Sequence, residues 1–543
     1  MKKIILIILL PLIVFAGSHH EWTYNQNIYE VNIRQYTEGG TFVDFEQHLD
    51  RLHDMGVGIL WFMPIHPIGE KNRLGSLGSY YSVKDFYGVN QEFGNIGDFK
   101  HLVSEIHNKG MYVIIDWVAN HTAWDCDLTT SHSEWYVQQN GNFIPPPGTN
   151  WSDVIELDYS QQVLRNYMVD AMKYWIDECD IDGFRCDAVD MVPMDFWENT
   201  IEELKSHKPE VFMLAEGDGK HLETSGFDMT YGWGLYAFGN GLLKNIYSRT
   251  QNANDLFNYF TNQNSEYDEN HYRMYFTSNH DENSWYGTDF ENFGDAAETF
   301  IALTLLLDGM PLIYSGQEAG LDKRLAFFDK DQINWKIHSF KYLFSKLLKL
   351  KKSNEALWNG KDGGNITRIS STKNQDVLAF VREQNGEKIL VLFNLSPNYQ
   401  QPIFLSPQIA GEYINIFTND TLAFQQGSNL ELYGWEYQIY ELLEKETAII
   451  NEESIASGFS LAQNYPNPFN PETIIQYSLP GQSEVELIIF DITGKKIKKL
   501  VSATQNAGNY DVTFNGRNLA SGIYFYKITA GSFQQTKQML MIK

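Results

Sequence analysis

The sequence predicts an α/β protein built on a (β/α)8 TIM barrel with β-rich domains after it, and three observations support this fold class. Strand-like apolar runs alternate with helix-like stretches from about residue 27 to residue 350, the order expected of a parallel sheet with helical crossovers. Several runs are apolar at nearly every position, as strands buried on both faces are. Polar and acidic residues follow these runs, where barrels of this kind place functional groups.

The individual runs of the barrel can be placed from their periodicity. Residues 28–33 alternate like a strand, whereas 57–62 and 111–116 are nearly continuous apolar runs. Helical periodicity falls between and after them, over residues 45–55, 98–109 and 163–178. An open doubly wound sheet is the alternative fold, but no glycine-rich dinucleotide fingerprint follows the first strand.

The chain is too long for one hydrophobic core, and its pattern of strand-like and helix-like segments changes along its length. We predict a short inserted domain B within the barrel, a β-sandwich called domain C, a linker and a small all-β domain. In order, the predicted segments are signal peptide 1–16, catalytic barrel 17–350 with domain B at 121–158, domain C 351–445, linker 446–458 and all-β domain 459–543. Within domain C, Asn385-Gly386 separates two β runs and predicts a hairpin.

The first residues have the three parts of a signal peptide. Lys2 and Lys3 precede an apolar run that is too short to span a bilayer, and Val14 and Ala16 fit the small-residue cleavage pattern. A membrane anchor is the alternative. No later segment resembles a transmembrane span, so we expect a soluble mature chain without one.

Charge and cysteine content exclude some functions. The formal net charge of −28 repels phosphate backbones, so we expect no nucleic-acid partner. Three cysteines, Cys126, Cys179 and Cys186, allow at most one disulfide and lack the spacing of a zinc site.

Acidic residues follow three of the predicted strands. Asp187 follows the fourth strand, Glu216 the fifth, and Asp281 a later one. Since the carboxyl ends of barrel strands share one rim, these three acids should meet there.

These segments resemble known sequence motifs. Four segments resemble, in this order, the four signature regions of the α-amylase family of glycoside hydrolases. They are DWVANH at 116–121, GFRCD at 183–187, the run ending at Glu216 and NHD at 279–281. Segments 81–87 and 309–318 resemble two further segments of that family. The resemblance covers roughly residues 25–445 and implies an enzyme active on α-linked glucans.

The resemblance also implies roles for single residues. Asp187 corresponds to the nucleophile, Glu216 to the general acid/base and Asp281 to the third acid. The implied substrate-binding residues are Tyr81, which stacks on a sugar, His121 and His280, which bind its hydroxyls, and Asp116, which supports the site by binding Arg185.

Physical chemistry adds constraints to these roles. Arg185 lies two residues before Asp187, so both side chains leave the strand on the same side, where the cation keeps the nucleophile ionised. Cys186 then faces the helices. Glu216 follows an apolar run with no neighbouring base in the sequence, which favours a proton-holding acid. A retaining mechanism requires the two carboxyl groups to lie about 5–5.5 Å apart.

No cofactor is required for this chemistry, but a structural Ca²⁺ is a further expectation. Asn120 corresponds to a family position that often ligates calcium, and Asp125, Asp127 and Asp153 are candidate oxygen ligands. The family's Lys-His pair after the nucleophile is replaced by Asp190-Met191, a departure that affects calcium geometry and sugar contacts. Among the aromatic residues, Trp124, Trp151 and Trp233 are assigned to the core rather than to sugar binding.

The tail resembles the C-terminal sorting domain of the type IX secretion system. The matching pieces are NYPNPFNP at 464–471, DITGK at 491–495, SGIY at 521–524 and the basic residues Lys537 and Lys543. This resemblance implies the type IX machinery as a partner and export through the outer membrane, to the cell surface or beyond. A starch-binding module and a permanent adhesion domain are the alternatives.

We therefore expect a secreted enzyme that cleaves α-1,4-glucosidic bonds in starch-like glucans by a retaining double displacement. An α-glucan transglycosylase or a sugar-isomerising relative would share every residue named. A non-catalytic glucan-binding protein should lack one of the three acids, all of which this chain has.

Overall fold

The computed structural model describes residues 19–268, 270–443, 458–517 and 519–542. The predicted signal peptide, all but the last residue of the predicted linker, and Lys543 lie outside the described residues. The described residues form two compact units. One runs to Tyr413 and continues over Ala423–Leu442, and the other comprises Ile414–Leu422 and the residues from Leu443 onward.

Parallel strands close into a barrel in the first unit, which confirms the predicted fold class. Within the described part of the chain the barrel strands are β1 Ile28–Val31, β2 Ile59–Phe62, β3 Tyr112–Trp117, β4 Gly183–Cys186, β5 Phe212–Ala215, β6 Met229–Tyr231, β7 Tyr272–Tyr275 and β8 Met310–Tyr314. Each strand pairs with its neighbours in sequence, and β1 pairs with β8 to close the ring. Strand β6 was not placed from the sequence, because three residues are too few to show a period.

Helices connect the barrel strands, and capping residues set their ends. The side chain of Asn95 accepts hydrogen bonds from the Gly97 and Asp98 amides, and the Asp98 carboxylate accepts one from the Asn95 amide, which starts the helix after β2. The region predicted as one helix, 45–55, is two in the structure. The helices are Ile33–Tyr36, Phe42–Glu46, Leu49–Met55, Ile96–Asn108, Leu128–Ser131, Gln162–Cys179, Met194–His207, Lys220–Thr224, Leu242–Tyr247, Ala253–Glu266, Asp289–Phe293, Ala297–Leu306 and Ser339–Ser353.

The connection after β3 leaves the barrel as an excursion that contains little regular structure. Strand His121–Ala123 pairs antiparallel with Val154–Glu156, and a small hairpin joins Gln138–Gln139 to Asn142–Phe143. The first of these pairings begins at His121, four residues after the end of β3.

Domain C is a β-sheet region that follows the barrel. Its strands include Thr367–Arg368, Val377–Gln384, Glu387–Asn394, Gly411–Asn415, Thr421–Phe424 and Tyr437–Leu442. The hairpin predicted at Asn385-Gly386 is confirmed, since Gln384 pairs with Glu387 across it and both turn residues have positive φ.

The second unit contains two small sheets. One has the order Ser460–Leu461, Glu472–Leu479, Gly508–Asn515, and the other Lys496–Gln505, Ser483–Asp491, Gly522–Ala530, Phe533–Met541. Alternate residues of these strands, such as Leu487, Ile489, Tyr526 and Ile528, form its core.

Two simpler expectations can be checked directly. Cys126, Cys179 and Cys186 are all buried as free thiols. In the described ranges no helix combines the length and apolar character needed to cross a bilayer.

Candidate active site

The three predicted catalytic acids meet at one cavity. The cavity has a volume of about 770 Å³ and opens at the ends of the barrel strands. Six of the predicted site residues line it, namely Tyr81, His121, Asp187, Glu216, His280 and Asp281. Asp116 and Arg185 are fully buried beside them. The tertiary structure therefore brings all eight sequence-predicted residues together.

The guanidinium of Arg185 connects three carboxyl groups. Its Nη1 lies 2.8 Å from Asp116 Oδ1 and 2.8 Å from Asp187 Oδ1. Its Nη2 lies 2.9 Å from Glu216 Oε1. The predicted Asp116–Arg185 contact is present, but the expectation that Glu216 has no adjacent base is wrong. The base comes from β4, the neighbouring strand, which sequence proximity to Glu216 could not reveal.

Aromatic rings enclose the Arg185 side chain. Its guanidinium carbon lies 5.1 Å from the ring centre of Trp61, 5.7 Å from Tyr81 and 5.9 Å from Tyr231. Arg185 Nε also donates to the Tyr231 hydroxyl at 3.2 Å. A cation over these ring faces gains electrostatic stabilisation that offsets part of its desolvation. Tyr231 on β6 was not predicted from the sequence, because that strand was not placed.

Glu216 is held in a state suited to donating a proton. Burial raises its pKa to about 8, Arg185 opposes the shift, and Asp187 and Asp281 add to it. Its Oε2 accepts a hydrogen bond from the Ala188 amide at 2.7 Å. Ala188 has φ 43°, so a strained backbone position directs that amide at the acid. Glu216 therefore holds its proton to a higher pH than an exposed glutamate does.

Asp116 is buried behind the residues that line the cavity and does not line the cavity itself. The Trp61 indole donates to its Oδ2 at 3.2 Å, and the Tyr81 hydroxyl donates to the same oxygen at 3.0 Å. These donors and Arg185 fix the carboxylate, and through it they fix the Tyr81 ring at the cavity wall. These contacts offset only part of the cost of burying a charge, because burial still raises the pKa of Asp116 to about 7.

His280 belongs to a second charged group. Its Nδ1 lies 2.5 Å from Glu30 Oε1, and its Nε2 lies 3.5 Å from Asp281 Oδ2 and 2.8 Å from the Tyr81 hydroxyl. Burial disfavours the cation, but Asp281 and Glu30 outweigh burial and raise the pKa of His280 to about 9. Glu30 was missed by the sequence analysis, although an acid inside the first apolar strand was a usable signal.

Two tryptophans assigned to the core line the cavity instead. Trp151 lies beside His121 with ring centres 5.3 Å apart, and Trp233 follows β6. Both are only partly buried, so the core assignment was wrong for them. Trp124 is partly buried too, but it lies away from the cavity against Lys71, with Lys71 Nζ 5.4 Å from its ring centre.

The surroundings of Asn120 do not resemble a metal site. Its side chain is buried and lies 3.3 Å from His121 Nδ1. Asp125 is committed to Lys84, 3.1 Å away, and to the Glu70 amide. No group of three His, Cys, Asp or Glu side chains in the described ranges is arranged to hold a metal ion. Calcium binding at Asn120 stays a prediction.

Several rim residues were not identified from the sequence. Phe327 stacks with the Tyr81 ring at 6.2 Å, and Trp285 packs on Phe327 at 5.2 Å. Asp190, at the position of the predicted departure, also lines the cavity and pairs with His221 Nε2 at 2.6 Å. These residues come from irregular segments, where no periodicity marks them as functional.

Profiles of three known domain families match successive parts of the chain. The profile of the α-amylase catalytic domain matches residues 19–376, and that of the α-amylase C-terminal all-β domain matches 369–438. A secretion system C-terminal sorting domain matches residues 463–543.

The relatives found by sequence include an amylase and a glucanotransferase. Alpha-amylase 3 of Dictyoglomus thermophilum is 25% identical over 466 residues, covering 72% of this chain and 89% of that protein. A cyclomaltodextrin glucanotransferase of a Bacillus species is 25% identical, covering 81% of this chain and 63% of the relative.

Solved structures agree with the fold. An α-amylase from Lactobacillus plantarum has a TM-score of 0.68 and 29% identity, covering 78% of this chain and all of its own. A maltogenic α-amylase from Thermotoga neapolitana has a TM-score of 0.69 and 28% identity, covering 77% and 99%. The barrel, the three converging acids and the profile match over more than half of its length show that this chain belongs to the α-amylase family of glycosidases.

Proposed function

We propose that this chain hydrolyses α-1,4-glucosidic bonds in starch-like glucans with retention at the anomeric carbon. The observation that carries the proposal is the shared contact of Asp187 and Glu216 with Arg185. Two carboxyl groups bound to one guanidinium lie close together, as retention requires. A separation of about 5–5.5 Å between them stays a prediction.

In the first half of the reaction, Asp187 attacks the anomeric carbon and the bond to the leaving oxygen breaks. Glu216 gives its proton to that oxygen, so the leaving chain departs as a neutral alcohol. Arg185 Nη1 contacts the attacking carboxylate at 2.8 Å. The result is a covalent glycosyl ester on Asp187 and an ionised Glu216.

In the second half, Glu216 accepts a proton from water, and the water oxygen attacks the anomeric carbon. The ester bond breaks, Asp187 leaves as a carboxylate and Glu216 regains its proton. Asp281, which is partly exposed beside His280, stabilises the cationic transition state. His121 and His280 bind sugar hydroxyls next to the cleaved bond. No cofactor takes part in these steps.

Transglycosylation is the second candidate, because one relative is a cyclomaltodextrin glucanotransferase. In that reaction a sugar hydroxyl replaces water as the attacking group, and every residue keeps its role. Product analysis separates the two: hydrolysis of maltoheptaose yields only shorter chains, whereas transfer also yields longer ones.

The decisive experiment replaces the two acids. Asp187→Asn should abolish turnover of starch with folding intact, and Glu216→Gln should do so with a weaker effect on substrates that have good leaving groups. Asp322→Asn is a matched control, since Asp322 is exposed and pairs with Lys336 on the surface. Near-normal rates for both active-site variants would contradict the assignment.

We further propose that the protein is exported through the outer membrane by the type IX machinery, by means of its sorting domain. The sorting domain is proposed to be removed on export. Mass spectrometry of the secreted protein tests this, because an intact domain there would identify a permanent adhesion domain instead.

A further inference from the structure

A tight turn at the rim of the cavity presents one aromatic ring to solvent. Ala237 and Asn240 exchange backbone hydrogen bonds of 3.1 and 2.9 Å around the two central residues, Phe238 and Gly239. These have φ of 54° and 66°, the signature of a type I′ turn. Phe238 is 55% exposed and lines the cavity.

Phenylalanine is a costly residue at this position. The first central residue of such a turn is normally Asn, Asp or Gly, because a side chain with φ above zero crowds the backbone. A bulky residue there is an outlier. The ring also exposes apolar area to water, so neither backbone preference nor burial explains its presence.

A buried carboxyl group holds the turn in this conformation. The amides of Phe238 and Gly239 both donate to Glu282, the latter at 2.9 Å. Glu282 is 2% exposed and follows Asp281 directly. On the other side, a side chain at Gly239 would lie only 3.0 Å from Tyr286 Cβ, so the turn sits closely against that residue. Glu282 thus connects the turn that carries the Phe238 ring to the segment that carries Asp281, the third acid.

The position of Phe238 relates it to one end of the substrate. Phe238 follows β6, which pairs with β5, the strand directly before Glu216. Glu216 is the proposed donor to the leaving oxygen, so the leaving part of the substrate extends over this side of the cavity. Two more rings lie there, with centres 5.4 Å (Trp233) and 5.8 Å (Tyr286) from that of Phe238.

We propose that Phe238 stacks on a glucose unit of the leaving chain, and that Glu282 is the positioning residue that holds the ring in place. The inference rests on the proposed function, because it requires a glucan across the acids. In a transfer reaction the same ring would receive the incoming sugar. The strained turn is therefore retained for binding and not for stability.

The test compares two substrates that differ only beyond the cleaved bond. Maltoheptaose can place sugar units on the leaving side, whereas α-maltosyl fluoride has none there. Phe238→Gly removes the ring and fits the positive φ, so folding should not suffer. Because an aromatic contact contributes about a tenfold effect, kcat/KM on maltoheptaose should fall by about that factor. The rate on the fluoride should stay within about twofold of wild type.

The controls separate this inference from the proposed function. Phe238→Trp keeps a stacking ring and should retain the wild-type rate on maltoheptaose. Glu282→Gln should copy the Phe238→Gly pattern, with a loss on maltoheptaose and not on the fluoride. Unchanged rates, or equal losses on both substrates, would overturn the inference. A wild-type protein that turns over neither substrate would contradict the proposed function itself.

Discussion

At the scale of single residues, charge balance decides the state of the site. Three carboxyl groups contact Arg185, and two contact His280. These carboxyl groups outnumber the two cations, and burial next to other acids favours the protonated form of a carboxyl group. Burial raises the pKa of Glu216 to about 8 and that of Asp116 to about 7, and Glu216 is the one of the two that lines the cavity. The division of labour between nucleophile and acid follows from this imbalance.

The pKa of Glu216 predicts the basic limb of the pH profile. Proton donation requires the protonated form, so kcat/KM on maltoheptaose should fall as pH rises through about 8. A fluoride leaving group needs no proton. With α-maltosyl fluoride, the rate of the bond-breaking step should therefore fall less as the pH rises. Rates measured across the pH range with both substrates check this, and a maltoheptaose profile that stays flat well above pH 8 would exclude Glu216 as the acid.

Glu30 should contribute to stability through His280. Glu30→Gln leaves the buried imidazolium with a weaker partner, and breaking a buried ion pair costs about 3–5 kcal/mol. The pKa of His280 in the folded protein is raised to about 9. The ion pair therefore contributes fully to the free energy of unfolding below the ordinary pKa of histidine, and this contribution disappears as the pH rises through 9. In urea unfolding, Glu30→Gln should thus lower the free energy of unfolding more at pH 6 than at pH 10.

The control for that measurement is Glu202→Gln, because Glu202 is exposed on a barrel helix. It should change the free energy of unfolding by less than about 0.5 kcal/mol. An equal loss at both pH values for Glu30→Gln would mean that the loss comes from packing and not from the ion pair.

At the scale of elements, the barrel strands bring distant parts of the sequence together at their ends. Asp116 lies in β3, Arg185 lies in β4 and Glu216 directly follows β5, and the β3–β4 and β4–β5 pairings place them side by side. Their convergence was predictable because parallel strands share one carboxyl edge. The contact of Arg185 with Glu216 was not, because it depends on how side chains of adjacent strands are directed.

A buried arginine links domain C to the barrel, and its removal should be costly. Arg382 on the strand Val377–Gln384 donates to carbonyls of Leu307, Trp358 and Gly364 at 2.6 to 2.7 Å. Arg382→Met leaves these acceptors without a partner and should lower the free energy of unfolding by about 3 kcal/mol or more. Lys373→Met, at an exposed position of the same domain, should have little effect in the same denaturation assay. Equal effects of the two variants would exclude this role.

At the scale of the whole molecule, catalysis and export are assigned to different units. The site residues all belong to the first unit, and the sorting domain, residues 463–543, belongs to the second. Deleting residues 459–543 should abolish secretion and leave kcat/KM on starch unchanged, as measured by cell fractionation and by assay of the purified protein. Secretion of the deleted protein at the normal level would contradict the role of this domain.

The sequence by itself determined the fold class, the three acids and the identity of the tail, because periodicity and short motifs are local properties. It also determined that Arg185 and Asp187 share a face, since strand alternation is local too. Only the tertiary structure decided that Arg185 reaches Glu216, that Glu30 binds His280 and that Phe238 stands at the rim. Those contacts join residues from different strands and irregular turns, and their geometry is set by side-chain packing that no local pattern encodes.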